Sequence, residues 1–304
     1  MDYTHMKIVV TGSRGMLAQD VISRLDNTDI KVTGLDLPEL DITCAQDTLH
    51  MIKNENPSLV INCAAYTAVD RAETEAEMAF AVNRNGSANL ADTCHHLHIP
   101  LLHISTDFVF NGKSKLPYRE DDTPEPLNIY GQSKWEGEKE IRKRHAENII
   151  IRTAWLFGIH GNNFVKTILK LAHEREELRV VDDQTGCPTW TGDLADALVK
   201  IVLTTQTTNL SEIWGTYHFC GAGQTSWYGF AKAIIEEART YEMLTVRKVT
   251  PITTREYPTP ALRPAWSVLD SKKITEVFGI TPMPWRGSLN KMINELYSKS
   301  TNPG

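Results

Sequence analysis

The stretch "VVTGSRGMLAQDV", residues 9–21, decides the fold. It closes a short apolar run that begins at Lys7 and opens an amphipathic segment predicted to be helical over 15–25. Gly12 and Gly15 let the backbone turn tightly between the two. The N-terminus of the helix that follows offers free N–H groups to a pyrophosphate. Ala18 stands at the third small position that a dinucleotide fingerprint permits. A glycine turn alone is a weak signal, but this one lies after a first strand and before a first helix. A nucleotide site is therefore favoured over a plain tight turn.

The alternation continues outward. Continuous runs rich in Val, Ile and Leu recur at 7–12, 30–36, 59–65, 101–107 and 149–158. Such runs mark strands buried on both faces. Helical patterns fill the gaps at 15–25, 44–56, 71–97 (with room for a break) and 131–144. Strand, helix, strand in repetition implies right-handed crossovers and a parallel sheet. The fold class is thus α/β, a Rossmann-type doubly wound parallel sheet. Past about residue 160 the rhythm loosens. A helix at 162–174, a strand "LRVV", a turn-rich "DDQTGCPTWTGD", a helix at 192–204, a strand "TYHFC" and a helix opening at Thr225 or Ser226 are predicted. Four prolines over 251–264 predict a loop, 286–298 a last helix, and "STNPG" a frayed tail. No internal repeat or low-complexity segment is present.

The 304 residues suffice for one large domain or two modest ones with ample core. With 41% apolar and 23% charged residues, the composition is that of an ordinary soluble globular protein. The net charge of −6 is spread along the chain, which argues against a nucleic-acid partner. No apolar run reaches the roughly 18 residues of a membrane span. The opening "MDYTHMKIVV" lacks the regions of a secretory signal, and Met6 directly before the first apolar run is a candidate start. A cytoplasmic protein without a membrane partner is expected. Cys44, Cys63, Cys94, Cys187 and Cys220 form no C-x-x-C, which suits a reducing compartment. They are expected as small buried hydrophobes.

Asp36 ends the second predicted strand, about 20 residues beyond the glycine turn. An acid there usually bonds a ribose 2′-hydroxyl and repels a 2′-phosphate. Arg14 pulls the other way, since a guanidinium in the turn can pair with that phosphate. Both dinucleotide forms stay open, as do duller roles: Asp36 as a turn cap, Arg14 as a solvated charge.

Other motifs fail. "DFVFNGKS" ends like a P-loop, but Asp107 stands where the first glycine is needed. "CHHLH", residues 94–98, sits at the end of a predicted helix, where adjacent side chains do not share a face. Imidazoles there favour solvent or the helix C-terminus over a metal. Neither H-E-x-x-H nor G-x-S-x-G occurs.

"NIYGQSKWEGEK", residues 128–139, puts Tyr130 four residues before Lys134, on one face of a helix. A nearby ammonium favours a phenolate, and a phenol so tuned can pass a proton to or from a reacting oxygen. The spacing recurs at Tyr3 and Lys7 and at Tyr228 and Lys232, so it decides nothing alone. Only Tyr130 follows a strand ending in hydroxyls and an acid, "ISTDFVFNG", with Ser105, Thr106 and Asp107. Ligands gather at the carboxyl ends of parallel strands. Thr106, Tyr130 and Lys134 are the candidate constellation.

"TGSRGMLAQDV", "NCAAYTAVDRAE", "ISTDFVFNGK", "PLNIYGQSKWEGEK", "RTAWLFG", "GNNFVKTIL", "DQTGCPTW" and "YPTPALRPAWSVLD" span almost the whole chain in order. On them the chain resembles the extended short-chain dehydrogenase/reductases, and within these the dTDP-4-dehydrorhamnose reductase family. The resemblance implies reduction of the C4 ketone of dTDP-4-dehydro-L-rhamnose to dTDP-L-rhamnose, with NADPH or NADH as cofactor. By motif, it implies that Tyr130 gives a proton to the nascent C4 alkoxide. Lys134 would lower the Tyr130 pKa and hold the nicotinamide ribose, and Thr106 would hydrogen-bond the reacting oxygen. Asp107 and Trp155 would contact the sugar. Gly12, Arg14, Gly15, Met16 and Leu17 would line the pyrophosphate. Asp36, Asp41 and Ile42 would hold the adenosine half, and Ala65, Tyr66 and Thr67 would lie along the cofactor. Residues 1–160 would form the dinucleotide-binding domain, joined by later segments. Residues 161–304 would be mainly a smaller sugar-nucleotide lobe. No metal is implied, and a homodimer is left open.

Each carried role has a plainer counterpart: Trp155 as core, Asp107 as a turn cap, Thr106 as a half-buried strand residue. Phe108 stands where the family commonly has Tyr, Cys187 where it has a small residue, and Trp266 where a small polar residue is usual. These departures bear on substrate preference more than on reaction type. A 4,6-dehydratase would follow its Thr-Asp with Glu, and Phe108 is there instead. A nucleotide-sugar epimerase also uses Tyr and Lys, though "DQTGCPT" favours the reductase. A non-catalytic regulatory subunit, like that of methionine adenosyltransferase, is the rival from another class.

Overall fold

A computed structural model of the chain describes residues 6–205 and 213–301. Tyr3, with the residues ahead of the candidate start, and tail residues 302–304 lie outside the described residues. The strands are β1 (Lys7–Thr11), β2 (Lys31–Leu35), β3 (Leu59–Asn62), β4 (Leu101–Thr106), β5 (Asn148–Thr153), β6 (Leu156–Phe157), β7 (Glu177–Val181), β8 (Thr185–Gly186), β9 (Thr189–Trp190), β10 (Gly215–His218), β11 (Thr225–Ser226) and β12 (Lys248–Ile252). The helices are α1 (Met16–Asp26), α2 (Ala45–Glu55), α3 (Val69–Ala72), α4 (Ala76–Phe80), α5 (Ser87–Leu97), α6 (Ile129–Arg144), α7 (Phe164–Glu174), α8 (Thr191–Thr204), α9 (Trp227–Ala238), α10 (Lys272–Phe278) and α11 (Trp285–Thr301).

The central sheet runs β2, β1, β3, β4, β5, β10, with every pair parallel. Strand alternation divides its apolar residues between two cores. Ile8, Val10, Leu59, Ile61, Ile149 and Ile151 face one core, with Val21 of α1 and Leu198 of α8. The residues between them, Val9, Val60 and Ile150, face the other, with Ile52 of α2, Leu90 of α5 and Ile141 of α6. Runs apolar on both faces are what a sheet covered on both sides requires. Chain order reverses between β1 and β3, so a crevice opens at their carboxyl ends. A third core joins α7, α9 and α11 through Ile168, Phe230 and Leu289.

Several expectations are corrected. The predicted strand at 149–158 breaks after Thr153, because the chain turns at Trp155, whose φ is 48°. The helical stretch at 71–97 does have the break allowed for it, after α3, and in addition a π-helical turn (Ala81–Gly86) between α4 and α5 that was not expected. The proline-rich loop begins inside β12, which pairs with β7. Pro251 is tolerated there because a two-stranded ladder leaves each strand an open edge. The short α10 was not predicted; it ends where Gly279 takes a left-handed backbone. Cys94, Cys187 and Cys220 are buried as expected, but Cys44 and Cys63 keep some exposure. No described helix is long and apolar enough to cross a membrane.

Candidate active site

A cleft of about 770 Å³ opens at the carboxyl ends of the sheet strands. Every candidate catalytic, substrate-binding and cofactor-binding residue named above lines it. Gly12, Arg14, Gly15, Met16 and Leu17 come from the first turn, and Asp36, Asp41 and Ile42 from the segment beyond β2. Ala65, Tyr66 and Thr67 follow β3, Thr106 and Asp107 end β4, Trp155 follows β5, and Tyr130 and Lys134 come from α6.

At one end, Gly12 has φ of 67°, and a Cβ added there would lie 2.6 Å from the Ala64 backbone. Only glycine lets the turns after β1 and β3 touch so closely. The Gly15 N–H closes the turn on the Gly12 carbonyl at 2.9 Å. No side chain caps the N-terminus of α1, so its first N–H groups stay available to an anion. The Asp36 carboxylate faces into the turn: Oδ2 accepts the Arg14 N–H at 2.9 Å and Oδ1 the Leu37 N–H at 2.8 Å. The Arg14 guanidinium is exposed and reaches Glu39 at 3.4 Å. The glycine cradle, the open helix terminus and the exposed guanidinium together fit a phosphorylated dinucleotide.

The turn after β3 is held from below. Asn83, in the π-helical turn, accepts the Tyr66 N–H at 2.8 Å and donates to the Tyr66 carbonyl at 3.1 Å. It also donates to the Ser133 hydroxyl of α6 at 2.9 Å, tying this turn to the helix that carries Tyr130. Nothing in the linear pattern marked Asn83, because its role depends on the widened turn.

Asn128 caps α6, its side-chain oxygen accepting the Gly131 N–H at 2.8 Å. The cap places Tyr130 in the first turn, where its ring meets Phe108 edge-on at 5.5 Å. The Tyr130 phenol is pushed up to about 12. Burial is the largest cause and the Asp107 charge adds to it, against a hydrogen bond with Thr106. The expectation that Lys134 depresses this phenol is therefore corrected: the net shift is upward, and Lys134 is not among its causes. Lys134 is itself buried, and its amine is pushed down to about 8, with Glu138 and Cys63 opposing that burial effect. Its Nζ donates to the Ile104 carbonyl at 2.6 Å and lies 3.2 Å from His103 Nε2.

Thr106 Oγ1 donates to Asp107 Oδ1 at 3.1 Å. Asp107 is 2% exposed, and its Oδ2 has no hydrogen-bond partner among the described residues. Burial pushes the carboxyl up to about 6, opposed by the Ser267 and Thr106 hydroxyls near it, although the Ser267 hydroxyl does not reach hydrogen-bond geometry with Oδ2. A carboxylate held dry and half-satisfied beside a cleft is suited to a ligand hydroxyl.

One turn beyond Lys134, Glu138 is fully buried and missed by motif reading. Arg152 grips it with two nitrogens, at 3.0 and 2.8 Å, and Ser105 donates at 2.5 Å. Burial alone would raise this carboxyl, but Arg152, Arg142 and Ser105 outweigh it and hold it below its ordinary value. The i, i+4, i+8 series Tyr130, Lys134, Glu138 was the available signal. Elsewhere, His95 and His96 are exposed at the end of α5, and no metal-holding cluster occurs among the described residues.

Residues 6–298 match the family model described as RmlD substrate binding domain. The chain is similar to the dTDP-4-dehydrorhamnose reductase of Aggregatibacter actinomycetemcomitans, at 43% identity over 94% of this chain and 98% of that one. It is also similar to the spore coat polysaccharide biosynthesis protein SpsK of Bacillus subtilis, at 40% identity over 95% and 97%. The crystal structure of the Bacillus anthracis dTDP-4-dehydrorhamnose reductase in complex with NADP superposes with a TM-score of 0.89. It is 36% identical, over 95% of this chain and 99% of that one.

Proposed function

The chain belongs to the RmlD family of dTDP-4-dehydrorhamnose reductases, and from that premise we propose that Tyr130, Thr106 and Lys134 carry its chemistry. The reaction is reduction of the C4 ketone of dTDP-4-dehydro-L-rhamnose to dTDP-L-rhamnose. NADPH, or NADH in its place, supplies the hydride when bound.

The chain's own residues do the rest. Tyr130 stays a neutral phenol across the physiological range, as a proton donor must. It protonates the C4 oxygen as negative charge develops there, and Thr106 hydrogen-bonds the same oxygen. Lys134 would hold the nicotinamide ribose. Gly12, Gly15, Met16 and Leu17 would receive the pyrophosphate at the α1 N-terminus, with Arg14 at a 2′-phosphate. Asp36, Asp41 and Ile42 would flank the adenosine half, and Ala65, Tyr66 and Thr67 the middle of the cofactor. Asp107 and Trp155 would take the sugar. Residues 1–160, joined by β10, would carry the cofactor, and 161–304 mainly the sugar nucleotide. A homodimer in the cytoplasm completes the proposal.

The observation that supports these roles best is convergence: turns from β1, β3, β4 and β5 and one face of α6 line a single cleft. The test is NADPH consumption, followed by its near-ultraviolet absorbance, with enzymatically prepared dTDP-4-dehydro-L-rhamnose. Rapid consumption with dTDP-rhamnose as product is expected. Bound NADPH without turnover would favour the regulatory-subunit alternative, and interconversion of C4 epimers without net consumption the epimerase.

A further inference from the structure

We infer that Trp227 and Gly186 are positioning residues that clamp Trp155 and thereby set which sugar ring the cleft accepts; this rests on the proposal that Trp155 contacts the sugar. Among the described residues, three that are not glycine have positive φ: Asn56, His98 and Trp155. Asn56 and His98 end α2 and α5, where a left-handed residue is a common terminator. Trp155 ends no helix. It stands between β5 and β6 with φ of 48°, a backbone state rarely taken by a bulky side chain. Such a state persists only where the surroundings over-determine it.

The surroundings do so from three sides. The Trp155 carbonyl accepts the Thr189 N–H at 3.2 Å. The face of its indole stacks on Trp227, with centroids 3.5 Å apart and planes 5° from parallel. Its edge closes on Gly186: a Cβ there would lie 2.4 Å from Trp155 Cε2 and 2.5 Å from Nε1. Any other residue at 186 would displace the indole or its own strand.

Both clamp residues belong to one supported unit. β8 pairs antiparallel with β11, setting Gly186 opposite Thr225, and Trp227 opens α9 directly after β11. Ser226 caps that helix through the Gly229 N–H at 3.0 Å. Trp227 Nε1 donates to Gln184 Oε1 at 3.1 Å, and Phe164 lies 4.6 Å from its ring. Gln184 is 4% exposed and donates onward to Thr254 at 3.0 Å. Trp155 lines the cleft, whereas Gly186 and the half-buried Trp227 are not among its lining residues. The clamp therefore acts on substrate through Trp155 alone, and the cofactor end of the cleft is left untouched.

The test compares Trp227→Leu, Gly186→Ala, Trp227→Phe and Trp155→Ala. Steady-state KM and kcat with dTDP-4-dehydro-L-rhamnose are measured alongside NADPH affinity and the excitonic circular dichroism of the stacked indoles. In Trp227→Leu and Gly186→Ala, KM should rise about tenfold, with a smaller change in kcat, as the indole is misplaced. NADPH affinity should hold. The excitonic bands should vanish in Trp227→Leu and shift in Gly186→Ala, and Trp227→Phe, which keeps a flat ring, should recover most of the KM. Should Trp227→Leu fail to fold, the single added methyl of Gly186→Ala decides. Unchanged KM in the clamp variants, with Trp155→Ala still raising it, overturns the clamp. Unchanged KM in Trp155→Ala as well removes the sugar contact itself, and the clamp with it.

Discussion

His103 sets its Nε2 3.2 Å from the Nζ of Lys134, at the base of the cleft. Asn62 Oδ1 already accepts the Thr11 hydroxyl and the Ala64 N–H, so its amide nitrogen is what faces His103 Nδ1 at 2.9 Å. Burial holds His103 well below the ordinary imidazole range, so the ring is neutral. A neutral ring that accepts at Nδ1 carries its proton on Nε2, facing Lys134. Two donors across that distance disfavour the ammonium, in the same direction as its burial.

The consequence is a pH-dependent stability. The folded chain holds the Lys134 proton less tightly than the unfolded chain does, with about 8 replacing 10.5. This group's contribution is therefore lowest below pH 8 and recovers as pH climbs to 10.5. Urea unfolding of wild type against Lys134→Met should show the difference moving in favour of wild type by up to about 3 kcal/mol over that window. A constant difference would mean that Lys134 keeps an ordinary ammonium. The variant should also bind NADPH more weakly; unchanged affinity would remove Lys134 from the ribose.

Tyr130→Phe removes the acid and keeps the ring that packs on Phe108. Turnover should fall by about 10²–10⁴, the usual worth of a positioned proton donor. NADPH affinity should be retained. Because the phenol lies up at about 12, the wild-type reduction rate should show no loss of Tyr130 as an acid between neutrality and mildly alkaline pH. Near-normal turnover in the variant would strip Tyr130 of its role.

The parts of this site that could be read in sequence are those with local causes. The glycine turn follows from Gly12 and Gly15 between an apolar run and a helix, and the position of Tyr130 follows from the Asn128 cap. Strand runs were visible because a doubly covered sheet needs Val, Ile and Leu on both faces. What escaped depends on distant partners. The break at Trp155 is enforced by Gly186 and Trp227, far along the chain, inside a run that looks like one strand. Asn83 acts through a π-helical turn that has no periodic signature. The Tyr130 phenol lies opposite to expectation because burial, a tertiary property, sets it, while the neighbour that helical spacing supplies is not among its causes.

Cofactor preference should turn on Arg14. One Asp36 oxygen accepts the Arg14 N–H of the glycine turn and the other the Leu37 N–H beside it, so both oxygens already hold backbone partners, while the charge still disfavours a 2′-phosphate that no cation offsets. Arg14 is held by one exposed pair with Glu39, an interaction of small worth. Its guanidinium can therefore turn to a phosphate. Arg14→Ala should lower kcat/KM for NADPH by roughly 10- to 100-fold, the value of a lost charge-assisted hydrogen bond. NADH should be little affected. A parallel loss with both cofactors would assign Arg14 to the turn rather than to the phosphate.

Asp107 should trade stability for ligand. Its carboxyl is pushed from 3.8 up to about 6, so the folded chain holds this proton more tightly than the unfolded chain. The stability it contributes is full below 3.8 and is lost as pH rises through 6. Near neutrality the wild type thus carries a buried carboxylate whose Oδ2 lacks a partner among the described residues. Asp107→Asn cannot ionise. Urea unfolding should find it about 2–3 kcal/mol more stable, relative to wild type, at neutral pH than at acid pH. The same change should raise KM for the sugar nucleotide, since a substrate hydroxyl then meets an amide in place of a carboxylate. A pH-independent difference would show that Asp107 titrates normally, and an unchanged KM would leave the dry carboxylate without a ligand to explain it.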